Sequence, residues 1–308
     1  MKQKYSLHLL LFILTFLSVT YREFLFVGLF TFDWETYLTI LSSEWPYSVG
    51  LIVILFFHEM GHYLPARYYG VKATLPYFIP FPFGPIGTMG AVIQIKERIP
   101  DKLKLFDIGI GGPIASFLLS IIAWVIGISL SDLMAIPEGM DKSKFLFFGD
   151  SLFTYWSGQW ILGPYDTNLF DINIHPLAKA GWVGLLITAI NLLPFGQLDG
   201  GHVIYALFGE RYRNWIHWLF LGFIFFALLN FTWLLWSFLI FYLLKVEHRF
   251  VPDSQNELIG FRKFLGYFML IALAFIFVPR PIMMGNEIDS PTLLHDILTI
   301  LKNAIGGI

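Results

Sequence analysis

Apolar runs long enough to cross a bilayer recur along the whole chain, and that recurrence limits the fold more than any other feature. A spanning helix needs about 20 mostly apolar residues. Candidate stretches lie at roughly 6–21, 47–69, 105–130, 177–193, 214–229, 231–246 and 261–279. The fifth and sixth form one run, Trp215 to Leu244, which is too long for one ordinary span and is divided here near Asn230. Charged residues make up 14% of the chain against about 25% in a soluble domain, and the deficit is spread throughout. The expected fold is an all-α polytopic membrane protein with about six to seven transmembrane helices, embedded in the lipid bilayer.

The N-terminal run MKQKYSLHLLLFILTFLSVTY has the basic start of a secretory signal but no small-x-small cleavage site after it. It therefore reads as a retained first helix. Loop charges then set the orientation. Lys2 and Lys4, the six basic residues from Arg67 to Lys104, Arg211 and Arg213, and Lys245 and Arg249 all fall on one side of a seven-span arrangement. The loop at 131–176 instead holds Asp132, Glu138, Asp141, Asp150, Asp166 and Asp171 against two lysines. It faces outward, and the N-terminus is cytoplasmic. The lack of a long presequence points to a prokaryotic inner membrane. A net charge of −2 offers no basic face for nucleic acid. With no cysteine in the chain, a metal site must draw on His and carboxylate ligands.

Two segments break the helical pattern. Residues 74–95 are rich in proline and end in a Gly-punctuated, β-branched run. This predicts a loop and then a small membrane-embedded β-hairpin or strand between the second and third helices. Such backbone survives at membrane depth only where protein or trapped water satisfies it. Residues 191–201, NLLPFGQLDGG, interrupt another apolar stretch.

The polar residues that matter most sit inside the second span: His58-Glu59-Met60-Gly61-His62. Positions i and i+4 share one helix face, so the two imidazoles can meet one metal ion with Glu59 beside them. Burying such a set is costly, since insertion scales charge about 2.5–3.5 kcal/mol for one ionised residue at mid-bilayer. A catalytic zinc needs a third protein ligand and an open position. Asp199 is the best intramembrane candidate, although an aspartate there suits equally the cap of the following helix. His175, His217 and His248 read as interfacial residues, His202 as a possible outer partner of Asp199, and Asp107 as the cap of the third helix. Pro65 either kinks the second helix or ends it.

These motifs resemble the site-2 protease family of intramembrane zinc metalloproteases. HEMGH matches its H-E-x-x-H, and Asn191 through Gly200 matches its N-x-x-P-x-x-x-x-D-G. Gly112-Pro113-Ile114-Ala115-Ser116 is similar to its G-P-x-x motif, with Ser116 where many members carry Asn. The stretch 175–201 resembles the subgroup without a PDZ domain. The resemblance implies one Zn2+ per chain held by His58, His62 and Asp199, with Glu59 as general base and Asn191 stabilising the oxyanion. It also implies that Gly87, Thr88, Met89, Gly90, Ala91 and Val92 form a strand that pairs with an unwound transmembrane protein or peptide substrate. The role of Ser116 stays open, as does the oligomeric state. Residues 1–46 then form a first helix and outer loop, 47–210 the metalloprotease core, and 211–308 C-terminal helices and a tail. Three other readings are an ion transporter, a silent scaffold, and a membrane zincin with a downstream Glu ligand. They lack, respectively, repeat symmetry, a missing ligand or base, and a reason for the Asn191–Gly200 motif.

Overall fold

The computed structural model describes residues 5–27, 33–136, 146–166, 169–228, 230–249, 251 and 257–284. Lys2, Lys4, Glu138, Asp141 and the tail from 285 lie outside the described residues. Helix α1 (Tyr5–Thr20) leads through the short α2 (Arg22–Val27) to α3 (Trp34–Tyr68). Asp33 starts α3, its carboxylate accepting from the Glu35 and Thr36 N–H groups, which otherwise lack partners at a helix start. The helix runs 35 residues, beginning well before the expected 47–69 and ending at Tyr68, with both Pro46 and Pro65 inside it. Pro65 does not end α3. A proline donates no N–H to the carbonyl four residues back, here that of Gly61. That carbonyl faces Gly111 of α4 (Lys102–Ser129), where an added Cβ would come within 2.1 Å of it.

α3 and α4 are each long and apolar enough to cross a bilayer. They pack against α6 (Pro176–Asn191) and α7 (Asp199–Phe208), and these four helices surround the site. The backbones of α3 and α4 touch where Gly61 meets Gly111 and Gly112, the close approach that small residues allow between membrane helices. α4 starts at Asp101, whose side chain accepts from the Lys104 N–H. The expected cap, Asp107, lies inside the helix. It binds Arg262 of α10 (Gly260–Ile276) through two bonds of 2.8 and 2.9 Å and accepts from the Tyr69 hydroxyl. His175 caps α6, accepting the Leu177 N–H at its Nδ1, with Pro176 in the first turn.

Between α3 and α4, β1 (Tyr77–Pro80) and β2 (Thr88–Val92) pair antiparallel, with Tyr77 opposite Val92 and Phe78 opposite Ala91. α1 holds this pair in place: the Ser18 hydroxyl donates to Gly87 O at 2.6 Å, and the His8 ring stacks on Tyr77. Gly87 has a φ of +86° and lies under Val19, so a side chain there would be both strained and blocked.

The described residues between α4 and α6 include three short strands and a helix. β3 (Asp132–Ala135) pairs with β5 (Phe170–Asn173), and α5 (Leu152–Leu162) begins in a reciprocal Ser151–Thr154 cap. β4 (Leu146–Phe148) pairs with β6 (Ile282–Met284), more than a hundred residues away. α8 (Arg213–Ala227) and α9 (Phe231–Leu239) are divided where the Asn230 side chain accepts from the Thr232 N–H.

Candidate metal centre

His58 and His62 lie one turn apart on the buried face of α3, 4% and 8% exposed. Their Nε2 atoms approach to 3.2 Å, and Asp199 Oδ2 stands 3.3 Å from each. Asp199 arrives from the first turn of α7. The structure assigns it no capping bond: the cap position is Leu198, which makes none through its side chain. The carboxylate turns to the imidazoles instead.

The far sides of both rings are satisfied. His62 Nδ1 lies 2.7 Å from Ile108 O. A carbonyl only accepts, so this nitrogen carries a proton, and in the neutral ring Nε2 is left with a lone pair. His58 Nδ1 meets Ser116 Oγ at 2.9 Å. The Thr188 hydroxyl reaches the same oxygen at 2.8 Å, and Ser116 also approaches Gly112 O. Sequence reasoning left Ser116 without a role and missed Thr188. Its spacing could have revealed it, because Thr188 precedes Asn191 by three residues and shares its helix face.

Three potential ligand atoms therefore converge at about 3.3 Å from one another, an arrangement that a cation among them stabilises. Zinc holds His nitrogen and carboxylate oxygen at about 2.0–2.2 Å in a tetrahedron, which separates ligand atoms by about 3.3–3.6 Å. The observed spacings match, and the three residues fit a zinc ion. Among the described residues, this is the group of His and carboxylates suited to a metal. Gly112 makes room for it: a Cβ there would lie 2.1 Å from His62 Nε2.

The other expected residues surround the same cavity of about 250 Å³. Glu59 is 6% exposed, and its Oε2 accepts the Ile93 N–H at 2.7 Å. Asn191 Nδ2 lies 3.2 Å from His58 Nε2. Ala91 and Val92 of β2 line the cavity, whereas Gly87, Thr88, Met89 and Gly90 are not part of its lining. His202 lines it too but makes no hydrogen bond to Asp199. Its Nδ1 pairs with His248 Nε2 at 2.7 Å. His248 is 4% exposed and so is not interfacial. It stacks on Tyr205, which with Tyr212 ties the segment after α9 to α7. Burial, and then the His202 ring, hold the His248 imidazole down at about 3, so it stays neutral. His217 is exposed and stands 3.6 Å from Glu247.

Comparison with known proteins follows the same residues. The model of peptidase family M50 matches residues 46–229. The "Probable zinc metalloprotease EGY1, chloroplastic" of Oryza sativa subsp. japonica is 37% identical over 178 residues, covering 58% of this chain and 30% of the relative. Its Arabidopsis thaliana counterpart is 36% identical over 179 residues, covering 58% and 32%. The Arabidopsis "Probable zinc metalloprotease EGY2, chloroplastic" is 31% identical over 174 residues, covering 56% and 30%. The chain thus spans about a third of the length of these relatives. They correct the expectation of a prokaryotic inner membrane: their names place these relatives in the chloroplast. Where this sequence starts carries no evidence of compartment, because the chain spans only part of much longer relatives.

Proposed function

The chain belongs to peptidase family M50, the site-2 protease family, and on that premise we propose that it is an intramembrane zinc metalloendopeptidase of a plastid membrane. It crosses the bilayer six to seven times and hydrolyses peptide bonds within or near transmembrane segments of other proteins. His58, His62 and Asp199 hold the metal. Zinc supplies Lewis acidity there, bringing the pKa of a water to about 7 and polarising a carbonyl.

The protein's own groups provide the rest. Glu59 takes the proton of the attacking water, its carboxylate held in position by the Ile93 N–H. The Asn191 amide offers a donor to the negative charge that grows on the substrate's carbonyl oxygen. A substrate helix hides its amides in its own hydrogen bonds, so it must unwind before attack. The membrane-embedded edge of β2, over Thr88 to Val92, receives the unwound segment by main-chain pairing, which gives affinity with little sequence selectivity, while Gly87 is covered by α1.

One observation carries this reading: three potential ligand atoms about 3.3 Å apart, with the opposite nitrogen of each ring already engaged. The test is a zinc assay paired with a cleavage assay on purified protein. We expect one zinc per chain, retention of zinc in Glu59→Gln, and no cleavage of a membrane-embedded substrate by that variant. Near wild-type turnover by Glu59→Gln would remove Glu59 as the base. Normal zinc content after replacing His58, His62 and Asp199 one at a time would remove the site.

A further inference from the structure

Behind the metal pocket lies a second, larger cavity of about 580 Å³, whose lining includes Ile95, Lys96, Arg98, Gln197, His202 and Arg249. Ile95, Gln197 and His202 line both spaces, so the two meet there. Chain direction links them as well. β2 ends at Val92, Ile93 holds Glu59, Ile95 bridges to Ala73 at the junction, and Lys96 to Arg98 form the far rim. A peptide lying along β2 and across the metal continues into this cavity.

Its rim is cationic. Lys96, Arg98 and Arg249 are exposed, and among the described residues none of them pairs with a carboxylate. The acid that lines the cavity, Glu97, is taken by Lys72 at 2.7 Å. The inner wall lacks a partner too: Gln197 Nε2 is buried without a hydrogen bond. Such a buried atom is costly to leave unpaired, and a peptide backbone passing the junction supplies both kinds of partner. The tendency of basic residues to gather on one membrane face accounts for their side. It does not account for their placement around a cavity that opens on the metal pocket.

We infer that this cavity receives the substrate segment flanking the scissile bond and selects acidic residues in it. The inference rests on the proteolytic reading. Carboxylates in the segment meet the three cations, and Gln197 engages the main chain at the junction. A lysine-rich flank is repelled, which gives a selectivity that main-chain pairing on β2 lacks.

The test uses the full-length, zinc-loaded Glu59→Gln protein in phosphatidylcholine nanodiscs, where no anionic lipid competes. Fluorescent peptides share the core Leu-Ala-Val-Leu-Ala and carry Asp-Glu-Asp-Glu, four serines or four lysines at one end or the other. We expect one acidic peptide to bind about tenfold tighter than its serine counterpart at low salt, the sum of three exposed charge pairs. The lysine peptides should bind more weakly still. The acidic end preferred also reports the direction of pairing. The triple variant K96E/R98E/R249E should keep its zinc and lose the preference. Equal binding of acidic and lysine peptides, or a preference that survives the triple variant, would overturn the inference. Cleavage by the wild-type protein separates this from the underlying reading. If it cuts the serine peptides and no flank is preferred, only the cavity's role falls. If acidic peptides bind preferentially and none is ever cut, the proteolytic reading falls and the cavity's role in binding stands.

Discussion

The two segments that deliver the candidate metal ligands are built in opposite ways. α3 carries His58 and His62 on continuous helix, so their meeting follows from i,i+4 spacing alone. Asp199 comes from a segment with no regular geometry. The chain leaves α6 at Asn191, turns through Pro194 and a Gly196 with φ of +55°, and re-enters helix at Asp199. Contacts from elsewhere fix that path. Gly196 donates to Val246 O at 3.0 Å, and a Cβ on Gly196 would lie 2.1 Å from Lys245 O. One half of the site is thus encoded by spacing and the other by packing against a segment some fifty residues away.

The sharpest way to break this contrast is to attack the helical half from outside. Gly112→Ala puts a methyl group 2.1 Å from His62 Nε2, a separation no relaxation of one ring absorbs with α3 and α4 already in backbone contact. We expect zinc affinity to fall by more than the 10–100-fold that outer partners contribute. Competition with a chromogenic chelator measures it, and circular dichroism shows whether the helices persist. Zinc affinity within a factor of two of wild type would mean that His62 is not held where the structure places it.

Gly196→Ala attacks the irregular half. The new side chain meets both a left-handed φ and the Lys245 carbonyl, so Asp199 should be misplaced while His58 and His62 stay put. The same chelator titration should show a loss comparable to that of Asp199→Ala, and the double variant should lose no more than either alone. Additive losses would separate Gly196 from the delivery of Asp199.

How much was legible in the sequence follows the same division. The HEMGH pair and the motif ending at Asp199 could be read, the first from helix geometry and the second from resemblance. The position of Asp199 relative to the imidazoles could not be computed from either. The partner of His202 was also hidden, because His248 lies beyond two helices and reaches it only through the fold. The β4–β6 pairing was invisible for the same reason: three-residue strands far apart in the chain leave no periodic signal. Ser116 falls between these cases. Its spacing from Gly112 put it on the right face of α4, but only the structure shows His58 Nδ1 against its hydroxyl.

That contact gives a smaller and cleaner test, since it perturbs orientation without removing a ligand. Ser116→Ala frees the His58 ring to rotate and leaves Thr188 with Gly184 O alone. Zinc affinity should fall by about 10–100-fold, with Thr188→Val having a lesser effect in the same direction. An unchanged affinity in Ser116→Ala would assign the orientation of His58 to the zinc itself.

The smallest effect lies at the start of α4, where even a regular helix hid its beginning from the sequence. Asp101 caps the helix through Lys104 N–H at 2.8 Å and pairs with the Lys104 ammonium at 2.8 Å. Burial raises its carboxyl, but the Lys104 ammonium and the backbone N–H bonds outweigh burial and hold it below the usual carboxylate range. A carboxyl lowered in the folded state stabilises above its unfolded value, about 3.9 for Asp, and loses that contribution as pH falls through the folded value. Asp101→Ala should therefore cost about 1 kcal/mol at neutral pH, read as a lower midpoint of thermal unfolding in detergent. Asp101→Asn keeps a capping oxygen and gives up the charge. Its deficit against wild type should be smaller, and should shrink as the pH is taken from about 7 to about 3. A deficit that stays constant over that range would place the effect in the shape of the cap and not in its charge. The entry of α4 would then be set, like the path to Asp199, by geometry.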